Sequence, residues 1–305
     1  MLQPLDHGVL DFSRFQPGSG QREPITREER EVPALWNAAT WAGKRVAVFG
    51  LWATWPAEAV SGVLISDRMF GFLNVEDEPP PGAAYPPEWQ ARASGELREL
   101  WRKIGYSELR DYLPWLPEAE YAGLAESDRP YDHPVSALRR ILIETALYDR
   151  LFEAAWRELA PDLAIVYFQG TDSIGHVFAP FAPPRQTSVS AEDYQRYSSV
   201  AERYFRAVDA QLGRYDELVR AAGGTLVIAS DHGFYWGEGR PERLSSFANA
   251  TAAKWHRKEG VYLLRGPGIA PGRGEKAGIR RLFPTLLALA GLPAAVGAEA
   301  TPLPG

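Results

Sequence analysis

Residues 163–176 read LAIVYFQGTDSIGH, an apolar run from Leu163 to Phe168 followed by a glycine and by an Asp and a His four residues apart. A short apolar, β-branched run of this kind predicts a strand buried on both faces. Asp172 and His176 then stand just past its carboxyl end. The pattern returns at residues 225–234, TLVIASDHGF, where Asp231 and His232 follow a second run. A third histidine, His256, lies in KWHRKEGVYLLRGPGI, residues 254–269. The chain has five histidines, and three of them occupy these places.

Outward from these runs the pattern alternates. Pro134 opens a helix whose apolar face is Val135, Leu138, Ile141, Leu142, Thr145, Tyr148, Phe152, Ala155, Trp156 and Leu159, with proline suited to a first turn and Pro161 ending it. A second long helix is expected from Ser190, with Asp193 completing a capping box and Gly223-Gly224 stopping it. Its stripe is Tyr194, Tyr197, Tyr204, Phe205, Val208, Leu212 and Tyr215. Upstream, LWNAATW reads as a helix and RVAVFG (45–50) and VSGVLIS (60–66) as strands. Downstream, GVYLLRGP is a strand and IRRLFPTLLALAGLP a helix.

Strands alternating with long helices predict an α/β fold with a mostly parallel sheet and helices on both faces. Residues 74–134, rich in Pro and Trp, read as an insertion in one domain spanning 1–305. Either an irregular surface excursion or a substrate-facing cap fits it, with a helix near Gly95–Ile104. The tail AAVGAEATPLPG is expected to fray.

Composition narrows the function. At 45% hydrophobic and 24% charged the chain is globular, and its net charge of −6 argues against nucleic acid or an anionic membrane as partner. The absence of cysteine removes thiolate nucleophiles, disulfides and Cys-ligated zinc. No apolar run approaches the ~20 residues that cross a bilayer, and MLQPLDHGVLDF has no secretory pattern; a soluble, cytoplasmic protein is favoured, with the compartment left open.

Asp172, His176, Asp231, His232 and His256 thus gather where an open α/β sheet binds ligands. Carboxylate oxygens with imidazoles suit zinc, manganese or iron better than calcium. Five ligands exceed one catalytic zinc and match two ions ~3.5–4 Å apart. From spacing alone a metal centre and a pair of hydrogen-bonded turns both remain open. His7 and His133 fall outside the pattern and read as structural or exposed.

Together DSIGH, SDHGF, the histidine ahead of GVYLLRGPGIAPG and the ending PTLLALAGLP resemble the alkaline phosphatase superfamily, and most closely its type I phosphodiesterase/nucleotide pyrophosphatase branch. KRVAVFGLWATWPAEAVSGVLISDRMF extends the resemblance over nearly the whole chain. It implies a three-layer α/β sandwich and a small-molecule phosphate ester as substrate. It also implies two divalent ions, zinc first and manganese or iron as alternatives. One ion falls to Asp172, His176 and His256, the other to Asp231 and His232. The chemistry implied is in-line attack by a Thr or Ser hydroxyl, then hydrolysis of the phospho-enzyme.

HGVLDF, which follows the family's nucleophile, begins at His7. The first strand, its metal-binding aspartate and the nucleophile are therefore expected before Met1, and the catalytic domain is expected to be incomplete here. Thr26, Thr40, Thr54 and Thr171 lack the nucleophile's context. Phe12 stands where nucleotide-type members often carry Asn, and Arg281 where relatives often have Asp before PTLL. A phosphoglycerate mutase-like enzyme, a sulfatase and an inactive metal-binding remnant are the competing readings.

Overall fold

The computed structural model describes residues 7–15, 18, 20–71, 78–124, 131, 133–242, 252–294 and 301–303. Residues 74–77, 125–130 and 132 of the expected insertion lie outside these, as do 1–6, 295–300 and 304–305 at the ends. Along the chain run β1 (Ser13–Phe15), β2 (Arg22–Pro24), α1 (Leu35–Trp41), β3 (Val46–Phe49), β4 (Gly62–Ile65), β5 (Ala84–Tyr85) and α2 (Pro87–Lys103). There follow α3 (Tyr106–Arg110), α4 (Glu118–Leu124), α5 (Pro134–Leu159), β6 (Leu163–Val166), α6 (Gly170–Phe178), α7 (Ala191–Tyr197) and α8 (Val200–Ala221). Last come β7 (Leu226–Ala229), β8 (Gly233–Phe234), β9 (His256–Arg257), β10 (Tyr262–Arg265) and α9 (Leu282–Leu289).

The chain divides into two compact units. One comprises residues 1–99, 146–167 and 272–305, the other 100–145 and 168–271. In the first, a sheet of order β5-β4-β3-β6 has β4 and β6 parallel to β3 and β5 antiparallel to β4. β3, VAVF, is fully buried. Val46, Val48 and Leu64 pack with Leu35, Trp36 and Ala39 of α1 and Leu287 of α9. Each buried Val or Leu among them contributes roughly 1.5–3 kcal/mol through burial. Phe49, alternating away from them, meets Phe152 edge-on at 6.3 Å.

In the second unit β7 and β10 form their own antiparallel pair, Leu226 opposite Arg265 and Ala229 opposite Tyr262, while α8 packs on β7 and on α6. Arg139, buried at 5% exposure, donates from Nε to the Ile104 carbonyl and from Nη2 to that of Trp101, tying off the end of α2.

The fold is thus mixed α/β with a sheet that contains parallel pairs. It departs from the sequence reading in five places. TLVIA and VYLLR pair antiparallel with each other, and between them the chain returns through the antiparallel β8–β9 pair. A parallel pair usually has a crossover helix, and among the described residues of this connection the only helical stretch is the short 3-10 turn Ala252–Trp255. LAIVYF is only partly buried as β6, whose one partner among the described residues is β3.

The expected helix from Ser190 is two helices. The Ser190 hydroxyl accepts from the Asp193 amide as foreseen, but the chain breaks at Ser198–Ser199. Tyr204, Val208 and Tyr215 of the expected stripe are buried in α8 together with Val200 and Gln211, while Phe205 is 38% exposed. The 74–134 segment is mostly helical where described, with Leu97, Leu100, Leu109, Leu113 and Leu116 buried, and it lends β5 to the sheet. The tail at 301–303 is held, since Arg281 donates to the Thr301 and Pro302 carbonyls and the Leu303 amide donates to Thr285 Oγ1. That contact gives Arg281 a structural role.

Candidate metal centre

The second unit contains all five residues singled out by spacing. Asp172 and His176 lie one turn apart on α6, so both project from one face. The amide nitrogen of Gln169 donates to Asp172 Oδ2 at 2.8 Å, which turns the other oxygen, Oδ1, toward the histidines. His256 opens β9 directly opposite Phe234 of β8, and His232 sits two residues before Phe234.

The result is a convergence on a single atom. Asp172 Oδ1 lies 3.4 Å from His176 Nε2, 3.6 Å from His232 Nε2 and 3.6 Å from His256 Nε2. His176 Nε2 and His256 Nε2 are 3.0 Å apart. Asp172, His176 and His256 form a metal-competent triad, their ligand atoms all within 4.8 Å of one another. The structure also brings His232 to Asp172. It leaves Asp231 at the rim, with a side chain 71% exposed and Oδ1 3.9 Å from His232 Nε2.

Asp172 Oδ1 is buried and accepts no hydrogen bond. An orphaned buried carboxylate oxygen is costly, because desolvation is not offset. With three imidazole nitrogens facing it, the oxygen completes an N/O donor set that fits a divalent transition ion. The His256 pKa is pushed down to about 4, first by burial and then by the neighbouring His232 and His176 rings. The ring is therefore neutral at neutral pH, which leaves one of its two nitrogens with a lone pair for a metal.

Several contributors were not foreseen. Gln169 stood in the quoted run without a role. Phe234 packs among the three imidazoles, with ring centroids 5.0 Å from His176 and His256 and 5.6 Å from His232. Glu144 of α5 is 4% exposed and its pKa is pushed up to about 8. Burial is the main cause, opposed by Arg140 and reinforced by Asp172. A glutamate flanked by Ile143 and Thr145 inside an apolar helix was the available signal for it. The four threonines are occupied: Thr26 caps its 3-10 turn with Glu29, Thr40 accepts from the Ser61 amide, and the Thr54 and Thr171 hydroxyls donate to the Leu51 and Phe168 carbonyls. His7 and His133 each accept a backbone amide two residues on, as structural residues do.

The family model for type I phosphodiesterase / nucleotide pyrophosphatase matches residues 2–277. No curated protein and no solved structure gives a significant match. Phosphate esters are the substrates of that family, and metal dependence is general in it. On a match covering nearly the whole sequence, the chain belongs to the type I phosphodiesterase/nucleotide pyrophosphatase family of the alkaline phosphatase superfamily.

Proposed function

We propose that this chain forms the metal-binding body of a phosphodiesterase or nucleotide pyrophosphatase acting on a small-molecule phosphate ester with two divalent ions, zinc foremost. The observation that carries the reading is the convergence of three imidazole nitrogens on the orphaned Asp172 Oδ1. Asp172, His176 and His256 would hold one ion, and His232 with Asp231 would contribute to the other.

Ring geometry supports two ions over one. His232 and His256 stack with centroids 3.8 Å apart and planes 14° from parallel. An imidazole ligates along its in-plane lone pair, and two stacked planes share no such point. When bound, such ions lower the pKa of an attacking hydroxyl or water and offset charge on the phosphoryl oxygens. The chain's own part is to keep His256 neutral, through the burial that depresses its pKa, and to hold the Asp172 carboxylate in place through the Gln169 hydrogen bond to Oδ2.

The attacking group in this reading is a Thr or Ser hydroxyl other than Thr26, Thr40, Thr54 and Thr171, whose side chains are already engaged in structural hydrogen bonds. We also propose a single catalytic domain of the three-layer type, with 74–134 as an insertion in it. The interleaving of the two units along the chain and the helix α5 common to both support this. Hydrolysis of bis-p-nitrophenyl phosphate by the full-length protein, dependent on added zinc and abolished by a chelator, is the expected result. Zinc-loaded protein without hydrolysis would sink the proposal.

A further inference from the structure

Metal ligands work only when their rings are held within roughly 10–20° of the productive geometry. Ligating histidines are usually fixed by a hydrogen bond at the second ring nitrogen. Here the His232 Nδ1–H reaches the Gly233 carbonyl only at 3.3 Å. Another element touches all three rings. Phe234 stands edge-to-face to His176 at 83° and to His256 at 71°, both at 5.0 Å, and tilted to His232 at 58° and 5.6 Å. Edge-to-face pairs of this separation are attractive and directional.

What keeps the phenyl ring there is Gly175, the residue before His176. A Cβ on Gly175 would lie 2.6 Å from Phe234 Cζ and 2.7 Å from both Cε atoms. The ring tip therefore fills the space a side chain would take. Trp236 supports the ring from beside it at 6.1 Å and is itself backed by Phe205 at 5.6 Å. The β8–β9 ladder fixes the base, with Phe234 opposite His256 and the Tyr235 amide donating to the Trp255 carbonyl at 3.0 Å. The wedge thus joins His176 of α6 to His232 and to His256 of β9.

We propose that Phe234, seated on the bare Cα of Gly175, is a positioning residue that sets the planes of His176, His232 and His256 for metal binding. It touches neither substrate nor ion, and acts through the rings. This rests on the metal-dependent reading above.

The test is zinc affinity, by competition with a chromophoric chelator, for Phe234→Ala, Gly175→Ala and the double variant of the full-length protein. Circular dichroism and melting of the metal-free forms are recorded alongside. Phe234→Ala is expected to lose about 10–100-fold in affinity, the range for residues that orient ligands. Gly175→Ala is expected to lose a similar factor, because its methyl must displace the ring. The double variant is expected to be no weaker than Phe234→Ala, since the methyl then enters vacated space.

Phe234→Leu, which keeps apolar bulk, preserves the test should the alanine variant not fold, and a loss of about 10-fold is expected of it. Wild-type affinity in the folded Phe234 variants overturns the proposal, whatever the change in melting temperature, because a merely structural role would move only the latter. So do losses that multiply in the double variant. A wild-type protein that takes up no zinc, manganese or iron would instead refute the metal centre itself.

Discussion

Asp172 does two jobs with two oxygens. Oδ2 accepts from the Gln169 amide at 2.8 Å, and Oδ1 is left buried and unbonded against three imidazoles. Replacing Gln169 with Ala should free the carboxylate to rotate and lower zinc affinity about 10–100-fold, measured by chelator competition. An unchanged affinity would remove Gln169 from the account. His256 gives a pH signature. Its folded pKa is about 4 against an ordinary 6.5, so between those values the unfolded chain takes up a proton that the folded chain refuses. Stability of the metal-free protein is therefore full above pH ~6.5 and falls as pH drops toward 4. A melting series over that window should be steeper for wild type than for His256→Phe, and equal slopes would contradict the assignment.

Helix α6 is the element on which the site depends, and its seating explains a sequence feature that local pattern could not. Gly170, at its first turn, has no room for a side chain. A Cβ there would run into the Tyr204 hydroxyl and come within 2.7 Å of Thr145 Oγ1, two groups joined by a 2.8 Å hydrogen bond. Gly170→Ala should destabilise the protein by ~1–3 kcal/mol, the cost of overpacking, in denaturant unfolding. Adding Tyr204→Phe should recover part of it, because the obstructing oxygen is gone.

Elements were legible where their cause was local. The spacing of apolar residues from Pro134 gave α5 to its last residue, and Ser190 marked the cap of α7. Strand partners were not legible, because pairing is decided by what the intervening chain does. TLVIA and VYLLR both look like parallel-sheet strands, yet they are antiparallel neighbours, with the antiparallel β8–β9 pair between them. The break at Ser198–Ser199 was likewise hidden inside one uninterrupted periodicity.

At the scale of the molecule, the five ligand candidates could be named from two strand-end runs and one later histidine. Spacing alone could not group them, whereas the family resemblance implied one ion for Asp172, His176 and His256 and another for Asp231 and His232. Spacing separated His232 from Asp172 by 60 positions, and folding puts their ligand atoms 3.6 Å apart while leaving Asp231 exposed. Phe234 gave no sequence signal of its place, because two of the three rings it meets, His176 and His256, are distant in sequence. Among the described residues no helix is long and apolar enough to cross a membrane.

A site formed only by the fold must be linked to folding, since zinc held by the native state alone stabilises it by about 2.7 kcal/mol at 100 times its Kd. The most direct measurement compares zinc affinity and zinc-dependent melting in wild type and Asp172→Asn, an exchange that keeps shape and removes the charge on Oδ1. The account predicts that the asparagine variant folds without metal, loses at least about 100-fold in zinc affinity and no longer melts higher when zinc is added. A variant that binds zinc as tightly as wild type would contradict it.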